Sequence, residues 1–486
     1  MKTPLIITKI KLKNTFLLFI GLTLINTTTK AQSNDDLLNI LIEKKVITID
    51  DAASLRADAA IKQQDNPKDK SFKVDLDFRT RTEYRNGFRD LPTDTAVGAL
   101  FTNQRSRVGF TYEQVNKFKF HTSIQDVRVW GSLDSRALTG NVQLFEAYVE
   151  PYITTTWSVK IGKQKLAFDN QRLFAENDWR TNPGTHDAVN FRYNSIKLTS
   201  DFVLAFNQTT ERNFGTDFTP VGFINYKTLA VSYLKYKLID TWTLSLINAA
   251  DGYQDVKIKE KIHQRFTDGG RVEFEYKGFY ATIAAYSQTG VNAQGTNLRA
   301  WYYQPEVRYV IPNSLTVRLG QEVFSGNNGL VKSGSDYSFN SLYGANHRFN
   351  GSLEYFTSKP ADLGGAGLVN PYLFIIKNVG KKWELRADFH LFYSQNNLVY
   401  KDKDANKKTI NVIADKYLGA ENDWLLTYKP NASTKIDIGY SFGNPTQSME
   451  IIRSLDAAKK VGSSTLTPNW FYVSLSFKPQ LFKSVF

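Results

Sequence analysis

Lys73-Val74-Asp75-Leu76-Asp77-Phe78-Arg79-Thr80-Arg81-Thr82-Glu83-Tyr84 has a period of two. Val74, Leu76, Phe78, Thr80, Thr82 and Tyr84 share one side, and Lys73, Asp75, Asp77, Arg79, Arg81 and Glu83 share the other. Successive side chains of a strand point to opposite faces, so one face here is apolar or small and the other carries only charges. That is the pattern of a strand standing between lipid and water. The alternation recurs in further segments from 100 to 482, for about eighteen strands in all. Working outward, the connections alternate in length. Short links fall at Val115-Asn116, around Thr154-Thr155, at Asn194, near Asp240, at Lys277-Gly278, at Pro312-Asn313, at Gly380-Lys381 and at Pro430 to Ser433. Between them lie long polar stretches at 85–99, 131–141, 169–186, 208–228, 254–262, 291–296, 328–368, 398–415 and 446–466. Tight turns at one end and large loops at the other are what an all-β, antiparallel, up-and-down transmembrane barrel requires. A sandwich would need Greek-key crossovers, and a propeller a repeat of about 40–45 residues, which the chain lacks.

The final segment, Asn469-Trp470-Phe471-Tyr472-Val473-Ser474-Leu475-Ser476-Phe477, alternates in the same way and ends near the C-terminus at Phe482 or Phe486. Barrel-assembly machinery reads terminal aromatic strands of this kind and is an expected partner. At the other end, Lys2, Lys9, Lys11 and Lys13 precede an apolar stretch from Phe16 to Ile25 and then Thr29-Lys30-Ala31, which reads as a signal peptide over 1–31. Its apolar core is too short for a spanning helix, which needs about 20 residues. Cleavage after Ala31 removes five lysines and no acid, taking the formal charge from +14 to +9. Residues 32–70 form a separate periplasmic piece. LLNILIEKKVITIDDAASLRAD predicts a short helical hairpin turning at Lys45-Val46, with Asp50 or Asp51 capping its second helix, and QQDNPKDK is a polar linker. The barrel then occupies 71–486, and the expected location is the outer membrane of a Gram-negative cell.

Composition agrees. There is no cysteine, so disulfides, thiolate metal sites and a lipid-modified N-terminal cysteine are excluded. Mean hydropathy is low, −0.37, in a chain with 25 Tyr, 33 Phe and 8 Trp. A membrane barrel, whose apolar residues are diluted by alternation and polar loops, reconciles the two. The basic balance of a secreted protein points to lipopolysaccharide, acidic glycans or small anions rather than nucleic acid.

The inward faces carry the candidate chemistry. Asp75, Asp77, Arg79, Arg81 and Glu83 of the first strand face the same way as Arg105, Arg107 and Glu113 of the second, so four arginines can share one patch. Asp126 and Arg128 follow on the third strand, given a register slip near Gln125, and Glu146 and Glu150 on the fourth. Arg271, Glu273, Glu306, Arg308, Arg318, Glu322, Glu384, Arg386 and Asp388 repeat the mixture on the far wall. Opposite charges on neighbouring strands stabilise a sheet, which is one role for these groups. The other is a ladder of guanidinium groups that passes an anionic solute along the bore, with interleaved acids keeping each site weak enough to release it. Catalysis has no comparable support. The five histidines, His121, His186, His263, His347 and His390, show no HExxH spacing, and there is no GxSxG, P-loop or GxGxxG element. Asp402-Lys403-Asp404-Ala405-Asn406 lacks the glycine and terminal glutamate of a calcium loop. The expectation is a non-enzyme without metal or cofactor.

The stretch IGKQKLAFDNQRLFAENDWRTNPGTHDAVNFRY, 161–193, resembles the signature of the alginate-export family of outer-membrane barrels. The matching positions are Gly162, Gln164, Gln171, Arg172, Trp179 and Asp187; Lys163 stands where the family has arginine, and Asn170 lies in its Gly-Asp region. SLYGANHRFNGSLEYF, 341–356, and LGAENDWLLTYKP, 418–430, are similar to a large outside loop and a later strand of that family. The resemblance implies an 18-stranded monomeric barrel whose arginine-lined bore carries an anionic polyuronate such as alginate, with loops as gates. Lys163, Arg172, Arg192, Glu421 and Asp423 join the candidate bore residues. The family's long periplasmic plug after the sixteenth strand has no counterpart in Pro430 to Ser433. The residues leave open export or import, a general anion porin or a phosphate-type one, the latter family being a 16-stranded trimer, and an adhesin or receptor acting through loops such as 328–368.

Overall fold

The computed structural model describes residues 69–486 apart from 135–139, 221, 224, 404–405 and 455–461, and before them Leu38, 41–44, 46–48 and 50–55. The expected signal peptide lies outside the described residues. The chain divides into two compact units between Pro67 and Lys68. In the first, residues 50–55 are helical. Asp51 N donates to Thr48 Oγ1 at 3.1 Å and Thr48 N to Asp51 Oδ2 at 2.9 Å. Thr48 is therefore the cap, in place of the expected aspartates, and Asp51 is the acid that answers it from the first turn.

In the second unit the described residues form a closed antiparallel barrel of eighteen staves. The first nine are Lys70–Asn86 (β1), Ala99–Gln114 (β2), Phe118–Val129 (β3), Val142–Pro151 (β4), Trp157–Gln164 (β5), His186–Asn194 (β6), Leu198–Phe206 (β7), Thr228–Ile239 (β8) and Trp242–Gln254 (β9). Ile262–Tyr276 (β10), Phe279–Val291 (β11), Asn297–Ile311 (β12) and Leu315–Phe324 (β13) follow, then a two-residue loop strand, Ser335–Asp336 (β14), and the staves Leu368–Val379 (β15) and Trp383–Ser394 (β16). A loop hairpin, Val399–Lys403 (β17) with Thr409–Ile413 (β18), precedes Tyr417–Asn431 (β19), Thr434–Pro445 (β20) and Asn469–Phe477 (β21), which Gln480–Val485 (β22) continues. Gln447–Ser454 (α1) is a helix in the loop before β21. No helix among the described residues is long and apolar enough to cross a membrane, which bears on helices alone.

Closure depends on the last stave. β21 pairs with β1 from Phe78↔Phe477 to Asn86↔Asn469, and β22 carries the pairing on to Ser71↔Val485. Pro479 interrupts the final strand because it has no N–H for the ladder, although its carbonyl still accepts from Leu76 N at 3.1 Å. Phe486 and Lys70 exchange backbone hydrogen bonds, so Phe486 ends the closing stave. Alternation is strict there: Phe471, Val473 and Leu475 are 38–42% exposed, whereas Trp470, Tyr472 and Ser474 are at most 6%. All short turns lie at the end that holds Lys70 and Phe486, which is the periplasmic end by the rule for such barrels.

The wall has one thin seam. β4 and β5 share only the register Ala147↔Lys163 to Val149↔Ile161. Gly162 sits there at φ +125°, where a Cβ would stand 2.3 Å from the Ala147 carbonyl oxygen. Two long outer loops, 165–185 and 325–367, do not stay outside as expected. Each carries apolar side chains every few residues, and Leu166, Phe168, Leu173, Phe174, Phe339, Tyr343, Leu353 and Phe356 pack inside the barrel against Val203, Val231, Tyr302 and Phe324. Burying such groups stabilises by about 1.5–3 kcal/mol each, enough to turn a loop inward.

Candidate functional site

The first arginine patch forms where the register requires it. Asp77 is opposite Arg107 and Arg79 opposite Arg105 across β1 and β2, all pointing inward. Their donors are already engaged. Arg79 Nη1 donates to the Asp178 carbonyl at 2.7 Å and Nη2 to those of Trp179 and Arg180 at 3.2 and 2.8 Å. Arg81 binds the Trp179 carbonyl at 3.0 Å, lies over the Trp179 ring at 4.2 Å and pairs with Glu83 at 2.8 Å. Arg105, fully buried, pairs with Asp77 at 2.7 Å and Asp178 at 2.8 Å. Arg107 donates to Gln125 at 2.7 Å and lies 3.4 Å from the Phe145 ring centre. Burial alone would raise the Asp178 carboxyl, but Arg105, Lys478 and Arg79 hold it down at about 2. Three of the four arginines thus clasp the tip of loop 165–185, and Arg107 supports them from the side.

On the far wall Arg318 pairs with Glu306 at 2.7 Å, Arg386 with Asp388 at 2.6 Å and Arg271 with Glu273 at 3.3 Å. Arg308 lies opposite Arg318 in the register and stacks 4.2 Å over Tyr280. Loop 325–367 adds Arg348, exposed, with no acid in ion-pair distance among the described residues. Although its surface is open, the surrounding lumen partly desolvates it and lowers its pKa, and the charges of Arg318, Arg386 and Arg271 lower it further, so the loop brings a cation beside that wall. Loop 165–185 likewise presents Arg180, also exposed and without an ion pair among the described residues.

The two loops are locked together. Trp179 stacks on His347 with ring centres 4.2 Å apart and planes within 1°. Arg172, fully buried, pairs with Glu322 at 2.9 Å and donates to Asn350 at 2.7 Å, while Asn350 donates to Glu322 at 2.6 Å. Leu353 N donates to Glu421 at 2.7 Å and Ser352 N to Asp423 at 3.3 Å. Glu354 binds His347 at 3.1 Å and also Arg89. Burial alone would raise its carboxyl, but the hydrogen-bonding His347 imidazole and the Arg89 guanidinium hold it below the ordinary range. Arg172, Glu322, Glu421 and Asp423, expected to line the bore, therefore position the inward loops instead.

The remaining candidates divide. Glu150 accepts from Ser158 at 2.8 Å and pairs with Arg192 at 2.9 Å, and Arg192 also reaches Asp201 at 3.0 Å. Glu146 meets Lys165 at 3.6 Å, and Asp75 is inward and exposed. Asp126 and Arg128 face outward. No slip occurs at Gln125, which pairs with inward Arg107, so Asp126 and Arg128 stand opposite Ser106 and Gln104 on the membrane side. The irregularity falls one strand later, at Phe145 between Leu144 and Glu146. Lys163 is outward as well, opposite Asp187 in the register and 3.6 Å from it. Missing from the sequence-derived set are Asp178, Arg180, His347 and Arg348. The stretches 161–193 and 341–356 contain all four, but no strand period marks a loop residue as inward.

The family model for alginate export matches residues 70–446. No curated protein matches the chain. Among solved structures, OccK11 (OpdR) of Pseudomonas aeruginosa is 11% identical, with a TM-score of 0.54 over 85% of this chain and 96% of that one. OccAB1 of Acinetobacter baumannii is 12% identical, with 0.54 over 85% and 97%, and a BenF-like porin from Pseudomonas fluorescens Pf-5 is 11% identical, with 0.54 over 84% and 99%. At such identities the likeness speaks for the fold alone.

Proposed function

Since the chain belongs to the alginate-export family and folds as an outer-membrane channel barrel, we propose that it passes an acidic oligo- or polysaccharide of the polyuronate kind, as a monomer. The observation that carries this reading is the placement of Arg180 and Arg348. Each inward loop presents one exposed arginine without an ion pair among the described residues, while the wall arginines Arg79, Arg81, Arg105, Arg318 and Arg386 are held by acids or carbonyls. A carboxylated chain meets fixed cations that can exchange partners, and the paired wall charges keep the path from becoming a trap. The test is planar-bilayer conductance of the purified protein with uronate oligomers added. Block by uronates at concentrations where neutral oligomers of equal length do not block supports the reading, and equal effects of the two reject it. Selective block by inorganic phosphate instead would favour a phosphate-type porin, and negligible conductance an adhesin.

A further inference from the structure

On β12 the outward side chains are Arg299, Trp301, Tyr303, Pro305, Val307, Tyr309 and Ile311, alternating with buried Leu298, Ala300, Tyr302 and Gln304. From Trp301 to Ile311 a strand tilted about 40° rises about 26 Å along the membrane normal, close to the roughly 25 Å height of a barrel's apolar band. Trp301 therefore sits at the outer boundary of the hydrocarbon and Arg299 just beyond it, among lipid headgroups. A cavity of about 360 Å³ opens at that level, and Trp301, Lys332, Ser333, Tyr337, Asn328 and Asn396 are among its lining residues. Its size is at the low end of small-ligand sites.

The wall is built up there by the loop itself. β14 runs parallel to the top of β12, with Leu298↔Asp336, which brings Tyr337 to the level of Arg299. Ser325 N donates to the Trp301 carbonyl and Ser325 Oγ accepts from Trp301 N, so the floor is fixed. Asp336, the nearby acid, is occupied by Asn327, Ser338 and Asn292. Arg299 and Lys332 make no ion pair among the described residues. Gly329 N binds the Asn397 carbonyl at 2.9 Å, tying this loop to the root of the β17–β18 hairpin, which exposes Lys401, Lys403 and Lys407 beside Asp402. Lys332 gives the lining a cation, Trp301 and Tyr337 are 42% and 38% exposed, and planar amides complete the rim.

We propose that this outward pocket binds the acidic, phosphorylated saccharide headgroup of an outer-leaflet glycolipid, with Lys332 of its lining and Arg299, two positions from Trp301 on the same outward face of β12 and outside the lining itself, taking its anionic groups, and Trp301 and Tyr337 its sugar faces. A solute on its way through the bore would need a site on the inward side of the wall. A site on the lipid side, at headgroup depth, serves a membrane component. The inference needs the barrel to stand in an outer membrane and does not depend on what the bore carries.

The test uses the full mature protein in phosphatidylcholine nanodiscs, titrated with lipid A bearing acidic core sugars and followed by native mass spectrometry. Wild type should bind with saturation, and removal of the lipid phosphates should weaken binding by about tenfold or more. R299Q/K332Q and W301A should each weaken it to a similar degree, with W301F restoring most of it. Heat-modifiability, conductance and uronate block should stay at wild-type values in all three variants, which separates this site from the bore. Equal affinity of wild type and R299Q/K332Q would overturn the proposal, and so would binding that phosphatidylglycerol displaces as well as the glycolipid does.

Discussion

Arg105 has no exposed surface, yet it faces the bore, because its partners Asp77 and Asp178 come from the wall and from a loop that descends to mid-barrel. This gives Arg105 a different role from Arg348. R105Q should free loop 165–185, raising conductance and current noise and lowering stability by about 2–3 kcal/mol in a melt. R348Q, alone or with R180Q, should leave the melt within about 0.5 kcal/mol of wild type. It should weaken uronate block about tenfold, or about 1.4 kcal/mol, and shift reversal potentials toward cations, less so as salt rises. An unchanged reversal potential in R180Q/R348Q would remove these residues from the solute path. Acid provides an independent check. Asp178 is depressed to about 2, so its hold on the arginines is complete above about pH 4, the ordinary range of an aspartate, and fades as pH falls toward 2. Single-channel noise from loop release should appear only in that window, and noise appearing already near pH 6 would contradict the assignment. Residue identity was legible in this patch: Arg79, Arg81, Arg105 and Arg107 do converge. What they bind was not, since Arg79 and Asp178 are 99 positions apart.

At the level of strands, the alternation in β1 predicts unequal tolerance of one substitution on its two faces. F78R puts a charge against lipid near the midplane and should cost about 2–4 kcal/mol, whereas D75R points into water and should cost little. Equal loss of heat-modifiability in both would show the register to be wrong. Gly162 tests the seam between β4 and β5. G162A forces a Cβ against the Ala147 carbonyl at a positive φ, so it should cost about 1–3 kcal/mol and lower the melting temperature, unlike the same change at exposed, unhindered Gly140. The period of two located the staves well because lipid and water select opposite residues at every step. It failed at β3, where a slip assumed near Gln125 placed Asp126 and Arg128 inward; the register runs on unbroken, near the rim the outward face leaves hydrocarbon, and a charge there is inexpensive. It also gave no sign of α1 or of the β17–β18 hairpin, whose short, exposed segments carry little pattern.

For the whole molecule, topology can be tested in a chain without cysteine. S333C should be labelled by an impermeant thiol reagent on intact cells and A432C should not, since the first lies in an exposed part of a long loop and the second in a short turn at the end holding both barrel termini. The reverse pattern would invert the barrel. Ala345, in the middle of the same long loop, is unsuitable because it is 5% exposed inside the barrel. By itself the sequence determined the class, the approximate number of staves and, apart from Asp126, Arg128 and Lys163, the facing of the strand residues named above. All of these follow from a local rule, a side chain pointing to one face or the other every second residue. The tertiary structure decided where the loops go. Arg172 meets Asn350 across 178 positions and Arg89 meets Glu354 across 265, and no local pattern encodes contacts at such separations. Those contacts exist because the closed wall brings distant loops into one lumen, where apolar groups and charges that read as solvent-exposed in the chain find partners while Arg180 and Arg348 stay exposed.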